Sequence, residues 1–188
     1  MALTVNIDFD HIYEIEPVTP DLRTTTFKSQ LADGTSLPLR VEISNQPHPL
    51  LPDVYNLAFG PLNSRGLVDD KAEIEHSDYS KTFSTILFTA LTYLSSNPSH
   101  FLGIDGSNNA RAYLYYRFIQ RNFGYLAQFF IMHGLKYYVR ISRFGKNQFD
   151  NPFDFKDIYT SLDPISRGRI IRSDWMYNYF IFRLNTAR

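Results

Sequence analysis

Cysteine is absent from this chain of 188 residues, which excludes disulfides, thiolate metal sites and a cysteine nucleophile. Net charge is also absent, at zero for pH 7. No apolar run approaches the roughly 18–20 residues of a membrane-spanning helix, so no membrane partner is expected. The opening MALTVNIDFDHIYEIEP has neither the basic start nor the long apolar centre of a secretion signal. Together these point to a soluble, cytoplasmic protein. Metal-ligand spacings are missing too: His11, His48, His76, His100 and His133 form no HxxxH or HExxH pair, and nothing matches an EF-hand loop. No GxSxG elbow occurs, so serine hydrolase chemistry has no support. No metal or cofactor is expected.

Aromatic residues are plentiful, at 16% with 16 Phe and 13 Tyr, and the hydrophobic fraction of 44% suffices for a core. The length fits one domain over residues 1–188, with 147–188 as a C-terminal extension of unassigned structure. Charge is unevenly spread. Residues 1–100 hold 6 Lys/Arg against 13 Asp/Glu, and residues 101–188 hold 13 against 6. Ten of those 13 cations are arginine, suited to forked recognition of phosphate or carboxylate. An anionic partner is one implication; mutual neutralisation of the two halves is the other.

The first 70 residues read as strands and turns. IYEIEPV, DLRTTTFKSQ, LPLRVEIS and DVYNLAFGPL are short segments separated by Pro20-Asp21, Asp33-Gly34 and Gln46-Pro47. Alternation in LRTTTF and LPLRVEI suits an antiparallel sheet with one wet face. NSRG then reads as a hairpin loop into a shorter strand, LVDDKAEI. Ser77 and Asp78 are natural caps for a helix carrying Phe83, Ile86, Leu87, Ala90, Leu91 and Leu94, stopped by Asn97-Pro98. FLGID is a short buried strand, and a second helix begins near Asn109 with Ala110, Leu114, Phe118 and Ile119 as its apolar side. YLAQFFIMHG reads as a third, buried helix with His133 in its last turn beside Gly134. KYYVRISRF reads as a strand with Tyr138, Arg140 and Ser142 on one face and Tyr137, Val139 and Ile141 on the other. WMYNYFIFRL is either a final strand or a short helix. The expected fold is α+β, a mainly antiparallel sheet opening with an N-terminal meander and packed on one face by two or three helices.

Three groups of residues invite function. In GIDGSNNAR a strand runs into a glycine turn and a helix start, where amides and the helix dipole favour anions. Gly106, Ser107, Asn108 and Asn109 would position a phosphate, Arg111 would grip it, and Tyr115 would line the site. The stretch is neither a phosphate-binding loop of the GK[ST] type nor a GxGxxG fingerprint, and an ordinary turn with a Ser or Asn cap and an Arg111–Asp105 pair is the competing reading. The second group is a basic face: Arg140, Arg143 and Lys146, then Arg167, Arg169 and Arg172. Arginine beside exposed rings suits RNA, while a solvated, internally paired surface is the alternative. The third is acidic, with Asp69, Asp70, Glu73, Glu75 and Asp78 around His76, most simply an exposed hairpin that blunts a sheet edge.

VYNLAFGPL, the DYSKTFSTILFTALTYL helix and GSNNARAYLYYRFIQRN together resemble a bacterial family catalogued as a domain of unknown function. Its pattern is a YNLAFG strand, an acidic hairpin, an Asx-capped helix and a Gly-Ser turn followed by an arginine and a Leu-Tyr pair, here Gly106, Ser107, Arg111, Leu114 and Tyr115. The likeness spans about residues 50–143. It departs at EHSD, where the family pattern has NNGD, so Asp78 is kept and the glycine is lost. The resemblance supports the fold and implies no chemistry. Two functions are therefore expected as alternatives. One is a domain binding a phosphate-bearing ligand, RNA or nucleotide, in the manner of a small toxin or defence effector. The other is a non-enzymatic protein-interaction or regulatory module, perhaps homo-oligomeric.

Overall fold

A computed structural model describes residues 4–106, 108–141 and 153–187. Its strands are β1 (Glu16–Pro17), β2 (Thr24–Gln30), β3 (Ser36–His48), β4 (Leu51–Gly60), β5 (Phe101–Asp105), β6 (Phe130–Ile141), β7 (Phe153–Pro164) and β8 (Tyr179–Leu184). Helices α1 (Tyr79–Ser96), α2 (Asn109–Arg121) and the one-turn α3 (Phe123–Leu126) complete it, with a 3-10 turn at Ser173–Trp175. The strands form one eight-stranded sheet in the order β1-β2-β3-β4-β5-β8-β6-β7. Only β4 and β5 pair in parallel, and the chain joins them through α1, the crossover that parallel neighbours require. The architecture is α+β, as expected.

The period of two in β2 and β3 is realised directly. Thr25, Phe27 and Ser29 of β2, and Leu39, Val41 and Ile43 of β3, are buried on one face. Across that face lies α1, started by Asp78, whose carboxylate accepts the Lys81 N–H at 2.9 Å. Its Ile86, Leu87, Ala90, Tyr93 and Leu94 enter the core with Phe180 and Phe182 of β8. Four buried serine and threonine residues lie on the same helix; Thr82, Thr85 and Thr89 bond back to carbonyls one turn earlier, which removes the penalty of burying them.

Residues 5–9 close the helical layer without joining the sheet. Val5, Ile7 and Phe9 are buried, and their segment's amides are taken by side chains: Ile7 N–H donates to Asn122 Oδ1 at 2.8 Å, Asp8 N–H to Ser84 Oγ at 2.9 Å and Phe9 N–H to Tyr125 Oη at 2.9 Å.

Four details differ from the sequence reading. LVDDKAEI makes only a single bridge, Leu62 with Val68, because its carboxylates and backbone serve turns at 63–72. Helix α2 buries Ala112, Tyr116 and Ile119, with Tyr115 and Phe118 packed against the core; of the expected apolar side Phe118 and Ile119 face inward, while Leu114 is 63% exposed and Ala110 exposed. The expected third helix shrinks to α3, and FFIMHG enters β6, since β7 and β8 flank it and satisfy its backbone on both sides. His133 therefore sits within a strand and caps no helix. Finally, WMYNYFIFRL ends as β8, which lies inside the sheet between β5 and β6, so the tail is integral to the core.

Candidate functional site

The sheet's second face carries a smaller apolar cluster, Leu51, Val54, Leu135, Tyr179 and Ile181, with Phe101 and Tyr137 packed against it. Beside this cluster opens a cleft of about 640 Å³, bounded by the β3–β4 turn, the end of β5, the start of α2 and the entry into β8. Local features shape each wall. Register shifts between Ile43 and His48 bend β3, and Ser44 fills the broken ladder: its hydroxyl donates to the Gln46 carbonyl and accepts the Asn56 N–H at 2.9 Å. Gly103 is buried in β5 because the Tyr179 ring lies against it; a Cβ there would stand 1.8 Å from that ring.

Three aromatic groups form one wall. His48 stacks on Tyr137 with ring centres 6.0 Å apart and lies 5.6 Å from the Tyr179 ring. His48 Nδ1 accepts the Leu50 N–H at 3.2 Å, which puts the imidazole proton on Nε2; that N–H then donates to Tyr137 Oη at 2.9 Å. Burial lowers the His48 pKa and so favours this neutral ring. Burial also raises Tyr137 and Tyr179, with Asp105 adding to both, so each hydroxyl keeps its proton. Tyr179 O–H donates to Asn56 Oδ1 at 2.9 Å. Around the same space Asn178 Oδ1 accepts the Tyr137 N–H at 3.4 Å, and Asn108 Oδ1 accepts the Arg111 N–H at 2.9 Å as the cap of α2. Asp105 lines the same space.

The glycine corner meets this cleft, though with its donors partly spent. Gly106 N–H donates to the Asn178 carbonyl at 3.1 Å, Asn108 N–H bonds to the Gly106 carbonyl, and the Arg111 guanidinium donates to the Asp70 carbonyl at 3.2 Å. Gly106, Asn108 and Asn109 line the cleft. Arg111 and Tyr115 instead line a separate recess of about 90 Å³ with Asp70 and Asp105, and Tyr115 packs edge-on to Phe180. Burial raises the Tyr115 pKa. Ser107 lies outside the described residues. Of the expected anion-binding residues, Gly106, Asn108 and Asn109 thus meet the cleft, while the Arg111 guanidinium bonds a backbone carbonyl of the 69–72 turn.

Of the six cations of the expected basic face, three have described side chains. Arg143 and Lys146 lie outside the described residues, as does the side chain of Arg140. Arg169 pairs with Asp163 at 3.5 Å, and Arg172 grips Asp174 with two bonds of 3.0 and 2.7 Å, while Arg167 is exposed. The acidic group is likewise structural. Asp78 caps α1, Asp69 accepts the Lys71 N–H, and His76 bonds Ser29 at 2.8 Å. Among the described residues no cluster of His, Asp or Glu could hold a metal ion. Nor is any described helix long and apolar enough to cross a membrane.

A family model described as a family of unknown function, DUF6934, matches residues 10–156. The chain belongs to the DUF6934 family. The match reaches well beyond the expected 50–143, taking in the meander of this DUF6934 domain at one end and the start of β7 at the other, and stops before β8. Hence His48, Asn56 and Tyr137 fall within the matched region, whereas Asn178 and Tyr179 come from the segment after it. No curated protein and no solved structure matches the chain.

Proposed function

We propose that this protein binds a nucleotide or an RNA end in the cleft of the sheet's second face. The observation that carries this reading is the cleft's lining: a histidine in ring contact with two tyrosines, four asparagines around the same space, and the N-terminus of α2 at the rim. Aromatic walls accept a planar base, amides read its edge, and the start of α2 beside Asn108 and Asn109 favours the attached phosphate. A base and sugar fit a volume of about 640 Å³. The phosphate is thus met by the helix start and not by Arg111. A cytoplasmic location goes with this reading, since nucleotides and RNA are found there.

Thermal unfolding with and without mononucleotides and short RNAs tests it. A ligand at a hundredfold excess over its Kd stabilises by about 2.7 kcal/mol. The expected result is a shift in the wild type that is lost in Gly103→Ala, which displaces Tyr179 into the cleft, and kept in Arg167→Ala. A shift lost in Arg167→Ala alone would place the ligand on the basic tail instead.

A second reading, a protein-interaction module, is favoured by one patch. Ile170 is 94% exposed and Trp175 66%, and the 3-10 turn that carries Trp175 packs beside α2, whose Tyr113 and Leu114 are also exposed. Light scattering across protein concentration checks self-association through it; a Trp175→Ser variant should then be monomeric.

A further inference from the structure

We infer that the cleft is an array of hydrogen-bond donors that selects keto bases, uracil and guanine, over the amino bases cytosine and adenine. This rests on the nucleotide reading above and names the ligand's chemistry within it.

The polarity of each polar group follows from what it already bonds. Asn178 Oδ1 is committed to the Tyr137 N–H and Asn108 Oδ1 to the Arg111 N–H. A backbone N–H can only donate, so in both residues the carbonyl oxygen faces the backbone and the NH₂ is left for the cleft. Tyr179 O–H donates to Asn56 Oδ1, which leaves Asn56 Nδ2 as a third donor. The tautomer of His48, set by the Leu50 N–H, sends its own proton to Tyr137 Oη. Tyr137 therefore accepts on that side, and its hydroxyl proton has no acceptor among the described residues. Four donors from four segments thus line one cleft. Asp105 also lines the cleft, and a carboxylate with about four lone-pair positions can accept from a ligand beside the partner it already has.

A keto base complements that set. It offers a carbonyl oxygen to the donors and, next to it, a ring N–H to a carboxylate. An amino base presents an NH₂ where the carbonyl would be, so donor meets donor and a desolvated group is left unpaired. Uracil and cytosine differ by this exchange and by the ring nitrogen beside it, which bears a proton in uracil and a lone pair facing the carboxylate in cytosine, with sugar and phosphate unchanged.

The test is calorimetric titration with UMP against CMP and GMP against AMP, repeated with tetrauridylate against tetracytidylate to separate a free nucleotide from an RNA end. The keto member of each pair is expected to bind at least about tenfold tighter, the effect of leaving one buried donor unpaired. Asn178→Asp keeps the oxygen that takes the Tyr137 N–H and turns the NH₂ into an acceptor. Its expected result is a UMP-to-CMP preference reduced to unity or reversed, with an unchanged unfolding midpoint showing that the fold is intact. Tyr137→Phe should reduce the same ratio. Binding of keto and amino members with equal affinity, or a ratio unmoved by Asn178→Asp, overturns the donor-array proposal while leaving nucleotide binding in place. Failure of every nucleotide and RNA to bind overturns both.

Discussion

On the helix-bearing face Gly134 yields the space of a side chain to the Tyr177 ring, and on the open face Gly103 yields the same space to Tyr179. The two pairs look alike and end differently. Tyr177 is 1% exposed within the main core, and burial pushes its hydroxyl pKa up to about 12. Tyr179 stands over the smaller cluster with its hydroxyl committed to Asn56 at the floor of a cleft. One device, a ring laid on a glycine strand, closes one face and furnishes the other. The helix-bearing face is where stability resides, and the open face is where polar groups are held in fixed orientation at little cost to the core.

The largest way to break this contrast is to empty the core. Phe180→Ala is expected to cost about 3–5 kcal/mol in urea unfolding, because a fully buried ring between α2 and β8 leaves a cavity. Gly134→Ala and Gly103→Ala come next. Each forces a ring off its strand and should destabilise by about 1–3 kcal/mol or more. Calorimetry separates them, since only Gly103→Ala is expected to abolish ligand binding. The helix caps give a finer comparison: Asp78→Ala and Asn108→Ala should each lose about 1 kcal/mol, and only the second also removes a cleft donor and weakens binding.

The smallest effect is in pH. Burial lowers the pKa of His48 and His133 on the open face and of His76 against Ser29 on the other, with Arg183 adding to the shift at His133. In the unfolded chain each returns to about 6.5 and binds protons more readily, so stability falls as pH drops through that value. A fall in the urea midpoint between pH 7.5 and 5.5 is the expected result. His76→Gln should shrink it without touching binding.

Much of the helix-bearing face was legible in the chain. Thr25, Phe27 and Ser29 alternate, and Asp78 announces α1 by cap and spacing. Phe130–Gly134 was not, because a continuous apolar run fits a buried strand as well as a helix, and the decision came from pairing with β8, some 50 residues on. The same reason hid most of the open face. Asn108 was visible as a cap beside glycine. His48, Asn56, Tyr137 and Asn178, however, share a cleft only through the β5–β8 and β6–β8 pairings, and no local spacing links them. Arg111 was visible, but its bond to a backbone carbonyl 41 residues away in a turn was not.

The most direct test of the open face as a ligand site is to follow the backbone and side-chain NH₂ signals of the protein by NMR as UMP is added. The expected shifts gather at Asn56, Asn108, Tyr137 and Asn178, with the Arg167–Arg172 segment unmoved. Shifts confined to that arginine segment, or none at millimolar ligand, would contradict the account.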